Sequence, residues 1–93
     1  MSKVLRIGNL APSTTAPRLR EICTEFGQVS EVKIAESPFS GQSRGFGFVE
    51  MSSLAEATAC LSGLNEQERD GRKLAVSEGP SGQFKKRAAR KAR

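Results

Sequence analysis

The chain has 93 residues, a hydrophobic fraction of 37% and a formal net charge of +5. A chain of this length has volume for one apolar core, and its apolar content is too high for a wholly disordered protein. No apolar run is long enough for a signal peptide or a membrane span, so we expect a cytoplasmic protein, or a nuclear one if the source is eukaryotic.

The first half of the chain predicts a strand, a helix and a second strand. Residues 4–10 alternate between faces as a strand does. Two threonines before Pro17 can cap a helix, whose first turn accepts the proline. Gly27 is expected to end this helix, and residues 29–36 form the next strand. The apolar side of the helix is formed by Leu19, Ile22, Cys23 and Phe26.

The second half predicts a strand, a helix and a strand. Residues 44–51 form the third strand, and the sequence Ser-Leu-Ala-Glu at residues 53–56 is a capping box that begins the second helix. Gly71 marks a turn before a last strand at residues 74–78. The apolar side of the second helix is formed by Ala57, Cys60, Leu61 and Leu64. Because each helix has one apolar side, both should pack on the same side of one sheet, in a split βαβ arrangement.

Residues 44–51, Arg-Gly-Phe-Gly-Phe-Val-Glu-Met, fit the octamer of the RNA-recognition motif except at Met51, where the pattern has an aromatic residue. Residues 5–10, Leu-Arg-Ile-Gly-Asn-Leu, are similar to the companion hexamer, with Arg6 at its aromatic position. Residues 3–78 therefore resemble the RNA-recognition-motif family. In overall layout, the chain looks like the small single-domain RNA-binding proteins of bacteria.

The resemblance implies an α+β fold, a ferredoxin-like βαββαβ sandwich with a four-stranded antiparallel sheet and two helices on one face. The first and third strands would then be neighbours at the sheet centre. Alternation along the third strand places Val49 and Met51 on the helix side, and Phe46 and Phe48 on the opposite, open side. Exposed aromatic rings of this kind can stack on unpaired bases. Arg6 would lie beside the two rings.

We therefore expect a monomer that binds single-stranded RNA on the open sheet face and is not an enzyme. A related topology serves small phosphatases, but the loop at residues 11–15 has neither the glycine nor the basic residue of a phosphate-binding loop. No cofactor is expected. The candidate RNA-binding residues of the sheet are Arg6, Asn9, Lys33, Arg44, Phe46 and Phe48.

Alternatives remain open for the same residues. The sheet face could serve as a protein–protein adaptor or bind single-stranded DNA. Phe46 and Phe48 could form a minor core under the segment around Phe84, and Arg6 could pair with Glu50 in solvent.

The two cysteines predict no metal site, and a buried disulfide is the alternative to two free thiols. Cys23 and Cys60 are far apart in the sequence, and the chain has no histidine. We expect both thiols to be small side chains of the core.

The positive charge is concentrated at the C-terminal end. Residues 85–93 carry six of the 15 Lys and Arg and no Asp or Glu, so residues 1–84 carry about −1. We expect residues 1–78 to be the domain, and residues 79–93 to be a Gly/Pro/Ser linker with a disordered basic tail. Within the tail, Lys85, Lys86 and Arg87 are expected to contact phosphates; a solvated segment that aids solubility is the alternative.

Overall fold

A computed structural model describes residues 3–36, 39, 41 and 43–80, with Ser43 described by its backbone only. The described elements, in chain order, are β1 Val4–Gly8, α1 Ala16–Thr24, β2 Val29–Glu36, β3 Ser43–Met51, α2 Leu54–Leu64, β4 Glu68–Arg69, β5 Arg72–Lys73 and β6 Ala75–Glu78. The four-stranded antiparallel sheet has the order β2-β3-β1-β6. The predicted α+β fold, with β1 and β3 at the sheet centre, is confirmed.

Residues 81–93, including the predicted tail contacts and the segment around Phe84, lie outside the described residues. Gly79, which the sequence assigned to the linker, donates its backbone N–H to the carbonyl of Val4 at 2.7 Å. None of the described helices has the length and apolar character that crossing a membrane requires.

The core lies between the sheet and the two helices. In the central strand pair, Leu5 lies opposite Val49, and Ile7 and Met51 point to the same side, all of them fully buried. The helices cover these side chains with the apolar residues that the spacing predicted, which are Leu19, Ile22, Cys23, Ala57, Cys60 and Leu64. Burying each of the larger side chains stabilises the fold by about 1.5–3 kcal/mol, so the apolar alternation fixes which face of the sheet the helices cover.

The helix caps follow the sequence signals, and one of them extends to a second element. The side chain of Thr15 accepts a hydrogen bond from the N–H of Arg18, and that of Ser53 accepts one from the N–H of Glu56. The Glu56 carboxylate in turn accepts from the hydroxyl of Ser53 at 3.1 Å and from the backbone N–H of Gln28 at 3.1 Å. The capping box of α2 therefore also holds the segment that leads into β2.

Gly27 does not lie at the end of α1 as predicted. The helix ends at Thr24 with Glu25 as its C-cap, and a Cβ atom at Gly27 would lie 2.6 Å from Cγ of Glu56. A side chain at residue 27 is therefore opposed both by the Glu56 side chain and by the positive φ of 156°.

Both cysteines are free thiols in the core, as predicted. A hydrogen bond between the thiols of Cys23 and Cys60, together with burial, raises the pKa of Cys23. Phe26 is half-buried against this core, and its ring packs directly on Gly63 of α2. Because Gly63 has no side chain, α2 leaves the space that the ring of Phe26 fills.

The sequence predicts a turn at Gly71, and the structure has a complete hairpin around it. Arg69 pairs with Arg72 across the two-residue loop Asp70-Gly71, in which both residues have positive φ angles of 53° and 82°. That combination is typical of a type I′ turn, for which Asp-Gly is a favoured sequence. Strands of two residues leave no room for an apolar alternation, so the flanking residues gave no strand signal.

Two ion pairs fix this hairpin against α1. Arg18 donates to both carboxylate oxygens of Asp70, at 3.2 and 3.0 Å. Arg69 donates to both oxygens of Glu25, at 3.0 and 2.7 Å. These hydrogen bonds hold the pKa values of Asp70 and Glu25 below their ordinary values of 3.8 and 4.5.

A carboxylate with a lowered pKa stabilises the folded state above its unfolded pKa, and this stabilisation is lost as the pH falls through the folded pKa. The contribution of Asp70 and Glu25 should therefore be complete above about pH 5 and disappear in more acidic solution. We expect the double variant Asp70→Asn/Glu25→Gln to lose stability at about pH 6 and to depend less on pH than the parent in urea unfolding between about pH 6 and pH 3. Asparagine suits the positive φ of residue 70.

The control is Glu68→Gln, which removes a carboxylate from the same hairpin. Glu68 forms no ion pair with any side chain that the structure describes. This variant should retain the pH dependence of the parent. An equal flattening in Glu68→Gln and in the double variant would contradict the assignment to the two ion pairs.

Candidate nucleic-acid interface

The face of the four-stranded sheet opposite the helices, here called the outer face, carries the two aromatic rings of β3. Phe46 and Phe48 are partly exposed, and neither packs against the core cluster. Their ring centroids are 5.9 Å apart with an interplanar angle of 88°, an edge-to-face arrangement. The predicted outward orientation of both rings is therefore correct, and among the described residues they do not form a second core.

The strand register places each ring in a different row across the outer face. Phe48 lies between Lys33 of β2 and Arg6 of β1, with Ser77 of β6 beyond Arg6. In the neighbouring row, Phe46 lies opposite Gly8, which in turn lies opposite Ala75. One ring is thus flanked by two cations, and the other by residues with little or no side chain.

Arg6 contacts the rings as the sequence suggested, but mainly through Phe46. The guanidinium carbon of Arg6 lies 4.5 Å from the centroid of Phe46, and that of Arg44 lies 5.7 Å from the same centroid. Cation–π contacts at exposed sites contribute about 0.5–1 kcal/mol each. The exposed guanidinium of Arg6 therefore lies on an aromatic ring, and it forms no ion pair with Glu50 among the described residues.

Lys33 also lies on the outer face and is exposed. With Ala35, Glu36 and the two rings, it lines a shallow depression of about 510 Å³ on the β2 side of the rings. The flat rings suit a planar group, and the margin offers both a cation, Lys33, and a carboxylate, Glu36.

Asn9 differs from the other candidate residues, since both polar atoms of its side chain are engaged within the protein. Its amide nitrogen donates to the carbonyl of Lys73 at 2.7 Å, and its Oδ1 accepts from Nη1 of Arg72 at 2.9 Å. Its positive φ of 61° is one that asparagine tolerates well. Asn9 therefore links the end of β1 to β5 and orients Arg72.

Arg72 of β5, which lies next to the outer face, is a candidate residue that the sequence does not reveal. It lines a second depression, of about 510 Å³, together with Arg6, Arg44 and Asn9. The Asp-Gly turn that precedes Arg72 was visible in the sequence. The contact with Asn9, 63 residues away, has no periodic signature that would have revealed it.

Comparison with known proteins agrees with this geometry. The family whose description is RNA recognition motif matches residues 5–75. The chain belongs to the RNA recognition motif family. It is 40% identical over 83 residues to the putative RNA-binding protein RbpA of Nostoc sp., covering 82% of this chain and 81% of that protein. It is 39% identical over 77 residues to glycine-rich RNA-binding protein 1 of Mycosarcoma maydis, covering 83% of this chain but only 44% of that protein.

Solved RNA recognition motif structures have the same fold. The crystal structure of RNA binding protein PG1 matches with a TM-score of 0.80 and 35% identity, over 84% of this chain and 94% of that one. The structure of the Rna15 RRM with bound RNA (GU) matches with a TM-score of 0.81 over the whole of both chains, at 21% identity. At that identity, the second likeness concerns the fold alone.

Two glycines of this RNA recognition motif, Gly47 and Gly8, differ in the space around them. A Cβ atom at Gly47 would lie 2.6 Å from the backbone carbonyl oxygen of Lys33, whereas one at Gly8 would meet nothing closer than 3.6 Å. We expect Gly47→Ala to lower the free energy of unfolding by about 1–3 kcal/mol, because β2 must move away from β3. Gly8→Ala should change it by less than about 0.5 kcal/mol. Urea unfolding of the two variants would measure both changes, and equal values would contradict a close approach of β2 to Gly47.

Proposed function

We propose that the chain binds single-stranded RNA, with bases stacking on Phe46 and Phe48 of the outer face. The observation that carries this proposal is the pair of partly exposed rings surrounded by Arg6, Lys33 and Arg44. Exposed aromatic side chains contribute little to this fold and invite self-association. Stacked bases would cover the rings, while the cations would lie close to the phosphates that link those bases.

The relatives support the same proposal. RbpA of Nostoc sp. and the Mycosarcoma maydis protein both carry RNA binding in their names, and the Rna15 domain was solved with RNA bound. The chain spans less than half of the Mycosarcoma maydis protein and 26% of RNA-binding protein CP29B of Arabidopsis thaliana. The proposal therefore concerns only the domain that this chain shares with those proteins.

We propose a binding module without catalytic activity. Two of the three hydroxyls in the loop between β1 and α1 take part in the fold, since Thr15 caps α1 and Thr14 donates to Asp70 at 3.4 Å. The proposed location is the cytoplasm, or the nucleus if the source is eukaryotic, although the relatives include chloroplast proteins of Arabidopsis and Nicotiana.

The roles of the two rings can be tested by replacing each phenylalanine with alanine. We expect Phe46→Ala and Phe48→Ala each to weaken binding of a short single-stranded RNA by about 1–3 kcal/mol, the usual contribution of stacking on one base. Neither ring packs against the core cluster, so both variants should remain folded. Isothermal titration gives the affinity, and amide chemical shifts of the free proteins report the fold.

Leu54→Ala is the matched control, because it removes a large apolar side chain that is 49% exposed and lies at the start of α2. This variant should bind RNA as the parent does. Unaltered affinity in both phenylalanine variants would refute stacking on the outer face. Equal affinity for single-stranded DNA of the same sequence would extend the ligand class, and a protein that competes with RNA for the rings would indicate the adaptor role.

We further propose that the basic tail, which includes Lys85, Lys86 and Arg87, contacts RNA phosphates. The support is the distribution of charge, with +6 in residues 85–93 and about −1 in the rest of the chain. Each phosphate neutralised on a single strand contributes about −0.7 to the slope of log affinity against log salt concentration. Removing residues 85–93 should therefore flatten this slope, by about 4 units if all six charges engage.

Base preference should persist without the tail, because phosphate contacts carry little sequence information. A chain of unchanged length with all six basic residues replaced by glutamine separates the effect of charge from that of length. It should behave as the truncated chain does. A slope that stays the same in both proteins would show that the tail does not touch RNA.

A further inference from the structure

The second depression on the outer face has an unusual charge for its size. It lies where β1 ends and β3 begins, and three arginines line it, Arg6, Arg44 and Arg72. Among the residues that the structure describes, the remaining lining includes Gly8 and Gly45 but no aspartate or glutamate. Three guanidinium groups without a carboxylate repel one another, and a bound anion would relieve this repulsion.

The three arginines are held in place by different contacts. Arg6 and Arg44 both lie against the ring of Phe46. Nη1 of Arg6 passes above Gly8, at 3.6 Å from where a Cβ atom would be. Arg72 uses one N–H on Oδ1 of Asn9, and a guanidinium group has five N–H donors. The side chains are therefore oriented while most of their donors stay available.

We propose that this depression binds a terminal phosphate of the RNA strand, that is, a phosphomonoester. Guanidinium groups match the geometry of phosphate oxygens and form paired hydrogen bonds with them. A phosphomonoester carries about −1.5 to −2 charges near pH 7, so it compensates three cations better than a singly charged backbone phosphate does. Phe46 lines both depressions, so a strand that stacks on the rings can place its end among the arginines.

This inference rests on the proposed RNA binding, and it assigns a ligand to residues that stacking does not require. Arg72 distinguishes phosphate binding from base stacking. It lines the depression that contains the three arginines, but it does not line the depression beside Phe46 and Phe48. The neighbouring Lys73 is also exposed and cationic, but it is absent from the lining of either depression.

The test compares three versions of one short single-stranded RNA, with hydroxyls at both ends, with a 5′-phosphate or with a 3′-phosphate. The full-length chain is titrated with each at one ionic strength. We expect a phosphate at one of the two ends to tighten binding about five- to tenfold, since exposed ion pairs contribute up to about fivefold each. The gain should shrink as salt is added.

Variants then assign the gain to the depression. Arg72→Ala should bring the ratio of affinities for phosphorylated and hydroxyl-ended RNA to nearly 1. Lys73→Ala, which removes the same charge from the next position, should keep the ratio of the parent. Asn9→Gly suits the positive φ of residue 9 and releases Arg72, so it should give an intermediate ratio.

The outcomes separate the two proposals. Failure to bind any of the three RNAs would refute the proposed function. Binding of all three with equal affinity would leave RNA binding intact and overturn the phosphate site. A phosphate-dependent gain that persists in Arg72→Ala would assign the effect to another part of the chain, such as the basic tail, and would overturn it as well.

Discussion

The antiparallel pairing of β1 with β3 at the centre of the sheet determines which side chains meet on each of its faces. Because Leu5 lies opposite Val49 under the helices, Arg6 must lie opposite Phe48 on the other side. A shift of this register by one residue would bury the arginine and expose the apolar pair. The energy of the core therefore also maintains the arrangement of the outer face, even though the rings of Phe46 and Phe48 do not pack against the core cluster.

Charge is unevenly distributed along the outer face. Glu31 and Glu50 are register partners at one end of the β2–β3 pair, whereas the arginines gather at the other end, where β1 finishes. A polyanion is attracted to the basic end and repelled from the acidic end, over distances comparable to the Debye length of about 8–10 Å. Among the described residues, the arginines outnumber the one carboxylate at their end, that of Glu36, so this gradient favours a bound strand that lies near the arginines.

Elements that bury a periodic apolar pattern could be predicted from the sequence, as with β2, whose limits agree at both ends. The octamer likewise predicted that both rings point to the outer face, since a side chain in a strand can point to only one of two faces. The short hairpin and the role of Arg72 could not be predicted, because they depend on contacts between distant residues that bury little apolar surface. Gly27 shows the same limit. Its turn signal was real, but the reason for a glycine lies in Glu56 of the other helix.

The position of Arg6 over Phe46 also affects how molecules of this protein meet one another. If both aromatic rings were uncovered, the outer faces of two molecules could associate through the hydrophobic effect. With a guanidinium group on one ring and a second arginine nearby, two outer faces that approach each other bring like charges together before the rings touch. The hexamer's departure from an aromatic residue at position 6 therefore leaves less of the Phe46 ring open to a second molecule.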